Sequence, residues 1–193
     1  MRDYSEKGLV PEIEKRRSRR MIQGGSLTDD TVERIMSAAA YAPSCLNRQP
    51  WRFIVVRKDD VLKKIHETLP PANAWVKAAP CVVFAATKYE LDERLDGGRD
   101  YALFDTGMAV MNLQLQAVRE GLRAHTIAGY NASAAAKILG VPDGYILIAA
   151  VVLGRPGTDD GVLNPRQRAE ETSARSRKSA AEVIAEDAWN FLA

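Results

Sequence analysis

The run Pro80-Cys81-Val82-Val83-Phe84-Ala85-Ala86 contains no charged residue, is short, and is built largely from β-branched, aromatic and small apolar side chains. It reads as a buried strand. A buried strand needs neighbours for its backbone groups, and three further runs qualify: Trp51 to Arg57, Leu122 to Ile127 and Tyr145 to Leu153. Helical periods lie between them. Thr28 stands as an N-cap before Asp29 and Asp30, with Val32, Ile35, Met36 and Ala39 at helical spacing. Asp59 to Leu69 gathers Val61, Leu62, Ile65 and Leu69 on one face, and Pro70-Pro71 stops it. The longest helix spans Tyr101 to Glu120, with Phe104, Met108, Met111, Leu115 and Val118 in period and Gly121 as its C′ residue. A short helix begins near Ser133 and closes at Gly140-Val141-Pro142. Strands and helices therefore alternate through the middle of the chain.

From Gly154 to Arg177 the periodicity fails among Arg, Asp, Gly and Pro residues, which predicts a long excursion over a surface or a partner. Ser179-Ala180-Ala181-Glu182 then has capping-box spacing and opens a last helix containing Val183, Ile184, Trp189 and Phe191. At 193 residues the chain suits one domain, residues 1–193. The formal net charge of +2 provides no global field for nucleic acid or a membrane surface. Cys45 and Cys81 stand far apart, a poor start for a disulfide framework, and with no apolar spanning segment or leader-like h-region the expected compartment is the cytoplasm.

Three stretches have the residues for chemistry. Glu14-Lys15-Arg16-Arg17-Ser18-Arg19-Arg20 puts several guanidinium groups and a hydroxyl within seven residues, a match for phosphate oxygens. Such a tract reads equally as a solvated face or a weak nucleic-acid patch, although RRSRR has no interleaved aromatic residue for base stacking. Arg175-Ser176-Arg177-Lys178-Ser179 repeats the pattern just before a helix start. The loop Ala42 to Trp51, APSCLNRQPW, interleaves Ser44, Asn47 and Gln49 with prolines. Those neutral groups suit the carbonyl and imide edge of a planar ring, or else serve only to satisfy a helix-to-strand connector. Cys45 lacks an evident base, since His66 and His125 fall in a helix and a strand, and two His and two Cys at unrelated spacings offer no metal set. Phosphate-loop, dinucleotide and nucleophile-elbow motifs are absent.

Taken in order, RRSRR, APSCLNRQPWRF, DTGMAVMNLQLQAVREGL, TIAGYNASAAAKILGVPDGYILIAAVVLGRPG and RSRKSAAEVIAEDAW resemble the FMN-dependent nitroreductase family, from about Ile13 to Trp189. The resemblance implies an α+β fold with a central, mostly antiparallel sheet surrounded by helices. It also implies a homodimer with two FMN sites in the interface, and it assigns residues 154–193 to an arm exchanged between protomers. Carried over to this sequence, Arg16 and Ser18 become phosphate-side contacts, with Arg17 in the same cluster. Arg20 becomes the cation near the flavin pyrimidine. Pro43 shapes a loop in which Ser44 and Asn47 touch the flavin, with Cys45 and Gln49 beside them. Gly129 lies against the central ring, next to Ala128. Arg175 and Arg177 form a distal phosphate clamp, given by the chain that does not supply Arg16.

Three departures stand out: Cys45 replaces a frequent serine, Ala128 a frequent glutamate, and Lys88 to Asp100 is short and charged where larger relatives insert a helix that walls the substrate pocket. The resemblance implies an oxidoreductase in which the flavin, with no catalytic side chain, takes hydride from NADH or NADPH. It then reduces a small-molecule acceptor, a nitroaromatic, quinone or activated alkene, by a ping-pong mechanism. Flavin cleavage, dehalogenation, a non-catalytic flavin sensor and a nucleic-acid-binding module are the alternatives.

Overall fold

A computed structural model of the chain describes residues 8–189 and residue 191. In chain order the elements are α1 (Pro11–Lys15), β1 (Ile22–Gln23), α2 (Asp29–Ala40), β2 (Arg52–Val56), α3 (Asp59–His66), β3 (Cys81–Thr87), β4 (Arg94–Leu95), β5 (Arg99–Asp100), α4 (Tyr101–Arg119), β6 (Arg123–Ile127), α5 (Ala132–Leu139), β7 (Ile146–Pro156), α6 (Pro165–Thr172) and α7 (Ala180–Val183).

Strand β7 is the hub of a five-stranded antiparallel sheet. It pairs with β3 (Cys81 opposite Leu153, Val83 opposite Val151), with β6 (Arg123 opposite Gly154, Ile127 opposite Ala150) and, at its far end, with β1 (Ile22 opposite Pro156). Strand β2 pairs with β3. Alternation along the strands divides the core. Val82, Phe84, Ala86, Ala150 and Val152 face Leu62 and Ile65 of α3, Trp75 and Val76 from the segment before β3, and Ala135 of α5. Cys81, Val83, Val151 and Leu153 face Val32, Ile35 and Ala39 of α2 and Leu113 and Ala117 of α4. Both faces of β3 and β7 are thus covered, as their near-continuous apolar runs require. Each fully buried Leu, Ile or Val in these layers contributes roughly 1.5–3 kcal/mol of transfer free energy.

Local chemistry explains the boundaries. Thr28 Oγ1 accepts from Thr31 N at 3.2 Å and starts α2. Helix α4 ends where Gly121 takes φ +75°, a conformation open to glycine, and Leu122 N reaches back to Ala117 O at 2.9 Å. Helix α3 stops at His66, short of the predicted Leu69. The Thr68 hydroxyl bonds Ile65 O at 2.7 Å, and Thr68 O accepts from Asn131 N at 2.8 Å, so the chain turns before Pro70. Helix α5 starts earlier than Ser133 because Asn131 Oδ1 caps Ala134 N at 3.0 Å.

The segment from Gly154 onward corrects the sequence reading most. Gly154 to Arg177 is not an irregular excursion: β7 continues to Pro156, and α6 follows. Its capping box joins Asn164 Oδ1 to Gln167 N at 2.9 Å and Gln167 Oε1 to Asn164 N at 3.1 Å. This segment lies on its own chain, where Gln167 Nε2 donates to Ala72 O at 2.8 Å. The last helix does begin at the predicted box, with Ser179 N donating to Glu182 Oε2 at 2.8 Å, but it ends at Val183, where Ile184 is extended (φ −131°). Trp189 and Phe191 lie beyond it. Among the described residues no helix is long and apolar enough to cross a membrane.

Candidate functional site

The N-terminal arginines are sorted by what holds them. Helix α6 presents Glu170 and Glu171 to the segment between α1 and β1. Arg20 N donates to Glu171 Oε1 at 2.5 Å, Arg20 Nη1 pairs with Glu170 Oε2 at 2.9 Å, and Arg19 donates to Glu170 O and to Ser173 O. From β6, Arg123 reaches Met21 O and lies 3.4 Å from Glu171 Oε2. One turn later in the chain, Arg175 Nη2 donates to three backbone carbonyls, Ile13 (3.1 Å), Glu14 (2.7 Å) and Arg16 (3.1 Å). These bonds tie residues 13–21 to residues 170–175 within one chain.

The result is a knot of like charge. Burial, then the neighbouring guanidinium groups of Arg175, Arg177 and Arg17, push the pKa of Arg16 below the ordinary arginine value. Arg17 Nη1 is buried without a hydrogen-bond partner among the described residues. Ser18 is exposed beside them. Guanidinium groups crowded against their own repulsion, with an orphaned donor, are chemistry suited to an anion with several oxygens.

From this knot the contacts lead to the end of β6. His125, 7% exposed, places Nδ1 3.2 Å from Arg19 O and tilts its ring against Trp75 with centroids 4.7 Å apart. Burial is the main reason its pKa falls to about 4; Arg20 and Arg16 act in the same direction, while the bond to Arg19 O and the charge of Glu170 oppose them. The neutral ring donates Nδ1–H to that carbonyl, since a carbonyl accepts only. Beyond it the backbone emerges at Ala128 and Gly129, both exposed. Asn73 Nδ2 donates to Gly129 O at 2.7 Å, and a Cβ on Gly129 would stand only 2.7 Å from that same nitrogen. A side chain on Gly129 would have to displace the Asn73 amide.

The loop Pro43 to Gln49 forms a second group. Leu46, Asn47 and Gln49 have φ of +49°, +56° and +50°, costly values for residues with a Cβ. Side chains hold this shape: Ser44 Oγ accepts from Gln49 N at 2.9 Å, Asp105 Oδ2 of α4 accepts from Cys45 N at 2.6 Å, and Arg48 pairs with Glu93 at 2.5 Å. Gln49 turns back on Asn47, with Nε2 3.1 Å from Asn47 Oδ1, so it serves the loop itself rather than reaching outward. Pro43 and Asn47 are exposed and Ser44 half-exposed. Burial raises the Cys45 thiol pKa, and Asp92, Glu93 and Asp105 raise it further against the opposing charge of Arg48. That is the reverse of what activates a nucleophile.

A model of the nitroreductase family matches residues 13–155. The chain belongs to the nitroreductase family. It is 31% identical over 152 residues to an Archaeoglobus fulgidus protein with the provisional name NADH dehydrogenase/NAD(P)H nitroreductase, spanning 75% of this chain and 83% of that one. A solved structure described as the oxidoreductase containing FMN superposes with a TM-score of 0.84 at 28% identity, over 98% of this chain and 97% of the other. A shorter likeness, 37% over 57 residues, links 30% of the chain to 20% of mouse iodotyrosine deiodinase 1.

Within this nitroreductase-family fold, the hydrogen bonds and charges gather the residues singled out from sequence into two groups. Arg16, Arg17, Ser18, Arg20, Arg175 and Arg177 form one, linked through Arg19 O to His125 on the strand that leads to Ala128 and Gly129, and the loop, held by α4, forms the other. Four side chains that shape the site were not singled out. Asn73 and His125 anchor the glycine and the arginine segment, Glu171 clasps Arg20, and Asp105 holds the loop. The signal for Asn73 was its place just after the Pro70-Pro71 stop.

Proposed function

We propose that this family member binds FMN between its two groups of residues, within a homodimer, and acts as an NAD(P)H-dependent oxidoreductase on a nitroaromatic, a quinone or an activated alkene. The observation that carries the reading is the guanidinium knot of Arg16, Arg17, Arg175 and Arg177, with its orphaned donor, together with an exposed glycine, Gly129, just beyond β6. This donor set fits the cofactor: forked cations for a phosphate, and an open, side-chain-free edge at Gly129 for a flat ring. FMN, when bound, supplies hydride acceptance and electron delivery.

The chain's own residues do the rest. Arg16, Ser18, Arg175 and Arg177 hold the phosphate. Arg20, half-balanced by Glu170, provides positive charge where a reduced ring accumulates negative charge. Ser44 and Asn47 offer neutral hydrogen-bonding groups on a loop already fixed in shape. No acid–base triad is needed.

Dimerisation is supported by an uncovered apolar stripe on α4, where Phe104 (62% exposed), Gly107, Met108, Met111 (43% exposed) and Leu115 recur at helical spacing. A second copy on this stripe gives it a partner and brings in a second loop. The exchanged arm then begins after Arg177, since the chain before it lies on its own fold. Among the described residues β2 pairs only with β3, and a groove of about 900 Å³ runs along β2 with Arg57, Lys58, Lys63 and Lys77 on its rim. An arm carrying Glu182, Glu186 and Asp187 among apolar residues complements it in charge.

The test is an absorbance spectrum after FMN addition, followed by anaerobic titration with NADH and NADPH and reoxidation by each acceptor class. Bound, bleachable flavin and parallel-line initial-rate kinetics are expected; protein that stays colourless refutes the reading. The local likeness to a deiodinase favours one second reading, reductive dehalogenation at the same site. Halide release from a halophenol under the same anaerobic conditions separates the two.

A further inference from the structure

Behind the strained loop lies a pair of carboxyl groups that the reading above leaves unused. Asp105 on α4 is 1% exposed, and one oxygen, Oδ2, accepts the Cys45 N–H at 2.6 Å. Its other oxygen, Oδ1, is buried without a hydrogen-bond donor among the described residues, and so is Asp92 Oδ2. The two carboxyl groups interact with each other directly. Two carboxylates can only repel through such oxygens, whereas a single proton between them satisfies both at once. Asp92 is itself fixed, because its Oδ1 accepts from Glu93 N at 2.8 Å.

We propose that Asp105 is the positioning residue of the Ser44–Gln49 loop and that Asp92 completes the device by sharing one proton with it. The neighbourhood fits this role. Burial raises the pKa of Asp92 above the ordinary carboxylate value, and the bond and charge of Asp105 add to it; the Glu93 N–H and Arg48 pull the other way. The charged or titratable groups facing the pair are Cys45 and Arg48 from the loop and Glu93 from the segment after β3, with Arg48 and Glu93 paired to each other. The direction of the pH effect follows. Below the raised Asp92 titration the proton is in place and Asp105 holds the loop; as pH rises through that titration the pair becomes two repelling carboxylates and the anchor loosens. Three left-handed residues in the loop make it ready to relax once released.

The functional consequence, a weaker hold on FMN at raised pH, rests on the proposed flavin site, but the device itself is testable without flavin. The measurement is hydrogen-exchange protection of the Cys45 to Gln49 amides in the FMN-free protein across pH, repeated for Asp105→Ala, Asp105→Asn and Asp92→Asn. Asp105→Ala should lower Cys45 protection by about tenfold or more. Each asparagine variant replaces the shared proton with a permanent N–H donor, so each should keep protection and lose its pH dependence. Wild-type pH dependence surviving in both asparagine variants overturns the proposal, even if Asp105→Ala fails to fold. FMN titration of the same proteins separates the two readings: absence of FMN binding to wild type sinks the flavin site, while the exchange result stands by itself.

Discussion

Replacing Gly129 with alanine puts a methyl carbon 2.7 Å from Asn73 Nδ2, far inside van der Waals contact, and 3.9 Å from Pro70 Cγ. Asn73 must yield. Its amide donates to Gly129 O at 2.7 Å and accepts from Trp75 Nε1 at 3.3 Å, so any movement strains one bond or both. A neutral hydrogen bond contributes about 1 kcal/mol net, and the longer bond less, giving a loss of about 1–2 kcal/mol. For a domain of this size that lowers Tm by roughly 2–8 °C. The proposed site offers the Gly129 backbone to the flavin, so FMN affinity should fall in addition. The assay is thermal unfolding of flavin-free Gly129→Ala, Asn73→Ala and the double variant, with FMN titration in parallel. Removing the Asn73 side chain removes the obstacle, so the double variant should lose less stability than the sum of the singles, by about 1 kcal/mol. Strict additivity would refute the steric argument. An intact FMN affinity in Gly129→Ala would refute the placement of the ring.

Three further outcomes are expected. His125 titrates at about 4 in the fold against 6.5 for a free ring, so its contribution is present above pH 6.5 and falls away as pH drops toward 4, by up to about 3 kcal/mol. Denaturant unfolding at pH 7.5 and 5 should show this slope, and His125→Gln should flatten it. Glu171→Ala leaves Arg123 and the Arg20 backbone without their carboxylate, and a urea titration should report a loss of about 3 kcal/mol. Arg16→Gln should raise the FMN dissociation constant about tenfold or more and weaken its salt dependence, read by flavin fluorescence. An unchanged constant places the phosphate elsewhere.

Much of the frame was legible because it rests on local rules. Thr28, Gly121 and the Ser179 capping box each announce a boundary within a few residues, and the uncharged run at Pro80 to Ala86 announces a strand covered on both faces. Helix α6 was missed because PRQRAEET has no apolar stripe; its cue was the Asn164 to Gln167 spacing alone. The arginine knot was legible as composition but not as geometry, since Arg16 and Arg175 lie far apart in the chain. Asp105 was read past for the same reason. It sits in the second turn of α4 beside Phe104, and its partner, the Cys45 N–H, is 60 residues away. Hydrogen bonds to backbone leave no trace in the partner's residue type.

The position of β7 has a kinetic consequence. The β2–β3 pair and β6 share no neighbour until residues 146–156 insert between them, and β1 finds its place only against the last two residues of that strand. During synthesis both exposed flanks, the β3 edge and the β6 edge, therefore wait for the same late segment. Loop closure of this span slows the rate-limiting step, and the waiting edges are the ones open to intermolecular pairing. Pulse-labelling during refolding should accordingly show β3, β6 and β7 amides acquiring protection together, with helix α2 ahead of them.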